Sequence, residues 1–281
     1  MSRNNKITAR TAWAWRRWIA KAQCEFWSNR LEAANAPTGI FTERPDRTRI
    51  LLEVYSEQQA VASALARRFG GRTRRVKSEE WIQSTPAPPL RIGRKLEIVH
   101  AKTNKNSMLP QLQIPHGVAF GSGDHATTHM LLRALTQRKD WAQTSVLDLG
   151  TGSGVLALAA RLFGACKIVA TDFDAEAVRT ARQNELLNFP ESRVRWQCAD
   201  VKRLRAKFTF DLVVANIFSE ILCQAAPQIA GSVSPGGQLW LSGILRSQQE
   251  QVVSAYRRQK LHLDRAVSRG KWIMLQWSKP L

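Results

Sequence analysis

The sequence predicts an α/β protein: a doubly wound, mostly parallel sheet ending in a C-terminal antiparallel hairpin, preceded by a small ferredoxin-like α+β domain. Three observations carry this. From Thr144 onward, short apolar runs alternate with periodic helical segments, as in parallel strands covered on both faces. The run Val146-Leu-Asp-Leu-Gly-Thr-Gly-Ser-Gly-Val155 leads a buried strand through Gly150, Gly152 and Gly154 straight into a helix. Residues 13 to 77 read in the order β-α-β-β-α-β, that of a two-layer domain with both helices on one face of its sheet.

Each element follows from local pattern. Residues 13 to 22 alternate large apolar and basic side chains and read as a strand. Cys24 to Ala34 sets Phe26, Trp27, Leu31 and Ala34 near helical spacing. Thr38 to Thr42 and Arg49 to Tyr55 read as strands, Glu57 to Phe69 as a helix and Arg72 to Lys77 as a strand; this small domain is placed at residues 1–77. Trp13, Trp15, Trp18 and Trp27 are expected to form its core. Residues 78–115 hold Pro86, Pro88, Pro89, Pro110 and Pro115 around one strand-like run, Arg94 to Val99, and read as a linker with one β element. The large domain spans residues 116–281. Its strands are Val146 to Leu149, Lys167 to Thr171, Val194 to Ala199, Leu212 to Ala215 and Gln238 to Leu241. Helices are expected at Val155 to Phe163, Ala175 to Leu187, Ser219 to Ala230 and Ser247 to Gln259. Leu261 to Val267 and Lys271 to Trp277, joined by Ser268-Arg-Gly270, form the hairpin.

Composition narrows the function. The 281 residues hold 42 Lys plus Arg against 22 Asp plus Glu, a formal charge of +20, with 44% hydrophobic residues, so a packed, strongly basic protein is expected. No stretch reaches the ~18 uninterrupted apolar residues of a membrane-spanning helix, and no membrane partner is expected. Cys24, Cys166, Cys198 and Cys223 are too widely spaced for a disulfide scaffold, a structural zinc or an iron–sulfur cluster; they read as reduced thiols, and no metal is expected. The first 24 residues are basic and free of acid, as in an organelle transit peptide. Residues 13 to 22 are nevertheless needed as the first strand, so the protein is read as cytoplasmic, with an organelle address the alternative.

The glycine turn points to a ligand by charge. A dinucleotide places its pyrophosphate on the helix N-terminus, and G-x-G-x-x-G/A can be forced from Gly152, Gly154 and Ala157 only in a shifted frame. Counted from the strand, the pattern is Asp148-x-Gly150-x-Gly152-x-Gly154. A carboxylate there would repel a pyrophosphate but suits an ammonium, which S-adenosylmethionine carries along with a sulfonium and no phosphate. Asp172, about 20 residues past the glycines, can accept both hydrogen bonds of a ribose diol. Asp200, ending the third strand, can accept from an adenine amino group or cap a helix, and Asp174 is expected to be a helix cap. Asn216 ends the fourth strand, at the edge where ligands bind in open α/β sheets. Its side-chain oxygen can accept from an amine's N–H bonds and aim the lone pair at a methyl group, which makes it the candidate catalytic residue.

Three segments resemble the PrmA family, bacterial methyltransferases of a large-subunit ribosomal protein within the Rossmann-like class I methyltransferases. Ile114-Pro-His-Gly-Val-Ala-Phe-Gly-Ser-Gly-Asp-His-Ala-Thr-Thr128 is similar to its A-F-G-T-G-x-H-x-T-T signature. Val146 to Gly154 resembles its cofactor turn, and Val214-Ala-Asn-Ile217, Pro235-Gly-Gly237 and Leu241-Ser-Gly-Ile244 resemble the stretch around its acceptor-site asparagine. The resemblance implies methyl transfer from S-adenosylmethionine to protein amino groups, lysine side chains and an α-amine among them. It places Thr128, Gly150, Asp172 and Asn216 at the cofactor, with Phe120 and His125 in a loop folding over it. His125 is expected to pack in that loop, with proton transfer the alternative. Thr151 stands where the family commonly has cysteine, and Ala126 where it has proline.

The charge departs from a family that is typically acidic to neutral: residues 1 to 115 carry net +12 and residues 116 to 281 net +8. Arg67, Arg68, Arg72, Arg74, Arg75 and Lys77 cluster in the small domain, and Lys202, Arg203, Arg205 and Lys207 follow the third strand. Such a field concentrates polyanions, so contact with ribosomal RNA is expected beside the ribosomal protein substrate. The chain is read as a monomer. Two rival readings remain at this level: a ribosomal RNA methyltransferase, and a basic RNA-binding assembly factor that keeps the fold. The Ile-Phe after Asn216, in place of the Pro-Pro-aromatic run of base amino-group methylation, speaks against the first.

Overall fold

A computed structural model of the chain describes residues 11–20, 23–32, 34, 36–37, 39–42, 49–56, 58–77, 89–101, 107–115, 123–204 and 208–281. Two compact units divide between Pro86 and Ala87. The first contains β1 (Thr11–Ala20), α1 (Cys24–Glu32), β2 (Ile40–Thr42), β3 (Arg49–Ser56), α2 (Gln59–Phe69) and β4 (Arg72–Lys77). Its sheet has the order β2-β3-β1-β4, antiparallel throughout, which is the expected ferredoxin-like arrangement.

Strand periodicity decides which tryptophans build the core of this unit. Trp15 and Trp27 are buried and meet Phe69, with ring centroids 5.8–6.2 Å apart. Trp13, on the same face of β1, packs at the edge of that cluster. Trp18 is one residue out of phase, so it faces away and is not a core residue as expected. The Trp15 Nε1–H donates to the Gly70 carbonyl at 2.7 Å. Gly71 lies so close that a Cβ would stand 2.6 Å from the Arg16 carbonyl oxygen, at a φ of +92°.

The second unit begins with a small sheet of its own. Residues expected to form a linker with one β element instead form a three-stranded sheet: β5 (Leu90–Ile92), β6 (Leu96–Val99) and β7 (Gln111–Gln113). Ile92, Leu96, Ile98, Leu112 and Ile114 are completely buried in one cluster with Leu131, Leu132 and Leu135 of α3 (Ala126–Gln137). The prolines that suggested a linker include Pro110, which stands just before β7, where a missing N–H costs no ladder bond.

The large sheet is built from β8 (Ser145–Leu149), β9 (Lys167–Asp172), β10 (Val194–Cys198), β11 (Phe210–Asn216), β12 (Val233–Leu245), β13 (His262–Arg269) and β14 (Trp272–Ser278). Its order is β10-β9-β8-β11-β12-β14-β13. Strands β8 to β12 are parallel, and the closing hairpin inserts β14 antiparallel beside β12. Connections are α4 (Val155–Leu162), α5 (Ala175–Asn188), α6 (Ser219–Gln224), α7 (Ala226–Gly231) and α8 (Gln249–Arg257). The single helix expected from Ser219 to Ala230 is two, because Pro227 lacks an N–H and fits only the first turn of a new helix. The chain runs outward from β8 to β10 and returns to β11 on the other side of β8. The crevice of such a sheet opens at that switch point, beyond the C-terminal ends of β8 and β11.

A buried carboxylate ties the outer half of this sheet together. Glu185 of α5 is fully buried; its Oε1 accepts from the Arg193 and Val194 N–H groups at 2.9 Å and from the Arg161 guanidinium. Its Oε2 accepts from the Ser192 hydroxyl at 2.6 Å and from the Trp196 indole at 2.7 Å. Burial by itself would raise its pKa, but these donors outweigh it and hold the carboxyl below its ordinary value. No helix among the described residues is long and apolar enough to cross a membrane.

Candidate functional site

The cleft starts with the turn after β8. Gly150, Gly152 and Gly154 have φ of 70°, 54° and 83°, a region that L side chains rarely adopt. Two of them also permit close approach. A Cβ on Gly154 would lie 2.9 Å from both the Ala181 Cβ and the Trp196 ring, and one on Gly150 would lie 2.2 Å from the Ile217 side chain. Ile217 directly follows Asn216. Gly243 of β12 closes on the same residue from another side, since its Cβ would stand 2.5 Å from the Ile217 carbonyl oxygen. Ile217 is thus clamped between two glycines, its side chain against Gly150 and its backbone against Gly243, a contact of distant segments that the sequence hinted at only through the Leu241-Ser-Gly-Ile244 match.

The amides of the glycine turn are already in use. Gly150 and Thr151 N–H both donate to the Thr171 carbonyl at 2.9 Å, Gly154 N–H donates to the Thr151 carbonyl at 2.9 Å, and Gly152 N–H donates to Asp172 Oδ2 at 2.9 Å. A pyrophosphate site needs such amides free and pointing at the ligand. Here they hold the turn onto β9 and leave Asp148 and Asp172 as the acidic groups beside it. Asn184 of α5 fixes the turn from outside, its amide nitrogen donating to the Ser153 carbonyl at 2.8 Å.

Asp172 is 7% exposed, and its second oxygen accepts from the Asp174 N–H at 3.1 Å. Each carboxylate oxygen therefore keeps one lone pair, which suits a vicinal diol. Asp148 is fully buried: Oδ2 accepts from the Thr151 hydroxyl at 2.6 Å and the Ala157 N–H at 3.2 Å, while Oδ1 has no partner. Burial pushes its pKa up to about 7, with Asp172 adding to the rise and its two hydrogen bonds opposing it.

That value gives a pH prediction. The folded protein keeps this proton up to about pH 7, whereas the unfolded chain releases it near 3.8. Asp148 therefore makes stability fall as pH rises between those values, by up to about 1.4 kcal/mol per pH unit. The difference in unfolding free energy between wild type and Asp148→Asn, measured by denaturant titration at several pH values, is expected to change in this window and level off above it. A cation bound in the cleft favours the ionised carboxylate, so cofactor affinity is expected to rise with pH through about 7.

On the acceptor side, Asn216 Nδ2 donates to the hydroxyl of Thr128, a fully buried residue of α3, at 3.0 Å, which leaves Asn216 Oδ1 buried and without a partner. Ser242, paired with Asn216 across β11 and β12, reaches the Thr127 carbonyl at 3.3 Å and seats α3 on the strand ends. His125 caps α3: its Nδ1 contacts the Thr127 hydroxyl at 2.7 Å and its N–H at 3.4 Å, and its ring packs edge-on against Trp272 at 5.0 Å. It therefore packs in place as the cap of the helix.

Asp174 caps α5 by accepting from the Glu176 N–H at 2.9 Å, and Asp200 caps the short turn at 201–203 by accepting from the Lys202 N–H at 2.9 Å. Phe120 lies outside the described residues, as do Arg205 and Lys207. Sequence reasoning missed Phe173 and Phe218, whose rings stand 80% and 75% exposed just after β9 and β11. It also missed His100, whose Nδ1 faces the Ile114 carbonyl at 2.9 Å and whose Nε2 faces Asp124 at 3.3 Å. Burial alone would lower its pKa, but Asp124 and the Ile114 carbonyl raise it above the ordinary imidazole value. The pair pins the residue immediately before His125.

Comparison with known proteins bears on this geometry. The sequence matches the family described as Ribosomal protein L11 methyltransferase (PrmA) over residues 20–280. The chain belongs to the PrmA family. It is similar to the Ribosomal protein L11 methyltransferase of Pelobacter propionicus, 37% identical over 212 residues that cover 73% of this chain and 68% of that protein. The Methylobacillus flagellatus relative of the same name is 34% identical over 261 residues, 87% of this chain and 80% of that one. Among solved structures, the ribosomal protein L11 methylase of Lactobacillus delbrueckii subsp. bulgaricus aligns with a TM-score of 0.63 at 31% identity, covering 69% of this chain and 99% of that one. The glycine turn, Asn216 and the α3 N-terminus of this PrmA chain all fall within the matched span.

Proposed function

We propose that the protein transfers methyl groups from S-adenosylmethionine to amino groups of ribosomal protein L11, lysine side chains above all. The observation that carries this reading is a cleft whose turn amides are spent inside the protein while two carboxylates and one orphaned amide oxygen remain. That donor and acceptor set fits a cationic, phosphate-free cofactor and a neutral amine. The cofactor supplies an electrophilic methyl group on a sulfonium. Asp172 would take the ribose diol, Gly150 and Gly152 the close backbone approach, and Asp148 the balancing negative charge for the ammonium. Thr128 would line the cofactor's side of Asn216, Asp200 the adenine edge, and Phe120 the covering loop. The exposed face of Phe173, next to Asp172, suits a purine.

Asn216 Oδ1 would accept an N–H of the incoming amine and so turn its lone pair toward the methyl group. Thr128 keeps the amide in that orientation by accepting from its nitrogen. A lysine ammonium entering this cleft loses water, which lowers its pKa and lets the proton leave to solvent before attack. Positioning then supplies most of the acceleration. The protein would act in the cytoplasm as a monomer, its outer strand β13 guarded against edge pairing by Arg265 and Arg269. Its basic surface would touch ribosomal RNA while the protein substrate is methylated.

Partition of label tests the substrate class. Radiolabelled methyl groups from S-adenosylmethionine are expected in one band of salt-washed large-subunit proteins and not in purified ribosomal RNA. Label in the RNA alone would replace this reading with nucleic-acid methylation.

A further inference from the structure

The C-terminal hairpin and α3 enclose a second polar surface that methyl transfer does not use. His129, Arg133 and Gln137 follow one another at four-residue spacing and share one face of α3. Arg265, Val267 and Arg269 alternate along β13 and share one face of the edge strand. The two rows line a groove of about 390 Å³ floored by Met130 and Met274. Arg133, Arg265 and Arg269 are exposed, and among the described residues none has a carboxylate within ion-pair distance. His129 adds a buried Nδ1 with no hydrogen-bond partner in the fold.

We propose that this groove is a docking site for the phosphodiester backbone of RNA. Three exposed guanidiniums, one on the helix wall and two on the strand wall of one groove, concentrate positive charge with no carboxylate partner among the described residues, and the guanidinium fork matches phosphate oxygens in pairs. The surface is a track rather than a single pocket. Through Gln137, Arg265 and Gln276 it runs into a neighbouring groove of about 1000 Å³ that adds Arg138 and Lys139 together with two acids, Asp140 and Asp211, so the cationic track is densest in the smaller groove. Arg138 is held in place there by Gln238 at 2.7 Å and Thr144 at 3.2 Å. Gln137, Ser268 and Gln276 offer neutral donors and acceptors to sugars and base edges between the cations. The inference rests on the reading that the basic surface meets RNA, and it names where.

The test is fluorescence anisotropy with a fluorescein-labelled RNA hairpin, titrated between about 50 and 200 mM salt. Arg265→Gln/Arg269→Gln is expected to weaken binding about tenfold and to make the slope of log affinity against log salt shallower by about two. The paired lysine variant is expected to restore most of that slope. Methylation of free protein substrate should be unchanged in both, which shows an intact fold. If the glutamine variant binds as wild type while Arg72→Gln/Arg74→Gln in the small unit abolishes binding, RNA contact stands and the groove is the wrong site. If wild type fails to bind the hairpin at the lowest salt, both readings fail. Competition by polyglutamate as strong as by unlabelled hairpin would overturn the assignment to RNA.

Discussion

Asn216→Ala is expected to lower kcat for methyl transfer by about 10²–10³-fold, measured as a single-turnover rate at saturating S-adenosylmethionine. The reason is geometric. Asn216 Oδ1 is a buried acceptor with no partner, its amide is oriented by Thr128, and the following residue, Ile217, is held at its side chain by Gly150 and at its backbone by Gly243. Removing the amide leaves the amine free to rotate while the cleft keeps its shape. Asn216→Asp should also be slow, for a different reason: a carboxylate there favours the ammonium, so the rate should recover partly as pH rises. Thr128→Val, which frees the amide to turn, is expected to cost about tenfold.

Glu185→Ala is expected to produce the largest loss of stability, about 3–5 kcal/mol. The carboxylate is fully buried and serves five donors, Arg161, Ser192, the Arg193 and Val194 N–H groups and Trp196, on α4, β10 and the loop before it. Truncation strands the buried Val194 N–H and Trp196 indole in an apolar setting and leaves the Arg161 guanidinium without its counter-charge. In a thermal melt the transition should fall by roughly 6 to 20 °C. The pH dependence has the opposite sign to that of Asp148. The Glu185 carboxyl is held below its ordinary value, so its contribution is complete above the unfolded pKa and is lost as pH falls through the folded one. The wild-type protein should lose more stability on acidification than Glu185→Ala does.

Much of the site was legible because its grammar is local. Strand, three glycines and helix occupy ten consecutive residues, and Asp172 and Asn216 each mark the end of an apolar run. The small domain's order was legible for the same reason, from Trp15 and Trp27 to Gly70-Gly71. What escaped are contacts between distant segments. Nothing near Ile217 announces that a glycine 67 residues before it presses on its side chain and one 26 residues after it on its backbone. Glu185 looks like any acid on a helix until β10 folds beside it. The small sheet over residues 90 to 113 escapes a sequence reading because three- and four-residue strands among prolines carry little periodicity, although Ile92, Leu96, Ile98 and Leu112 are completely buried. The apolar period continues on either side of Pro227 and masks the helix break there. Asp148 was expected to face the ligand's ammonium; the structure also makes it a staple of the turn, bound to Thr151 and Ala157.

The most direct measurement is the intact mass of purified ribosomal protein L11 after incubation with the protein and S-adenosylmethionine, followed by peptide mapping. The mass is expected to rise in whole methyl steps on amino groups with the wild-type enzyme and to stay unchanged with Asn216→Ala. A wild-type protein that binds S-adenosylmethionine yet leaves that mass unchanged would contradict the account.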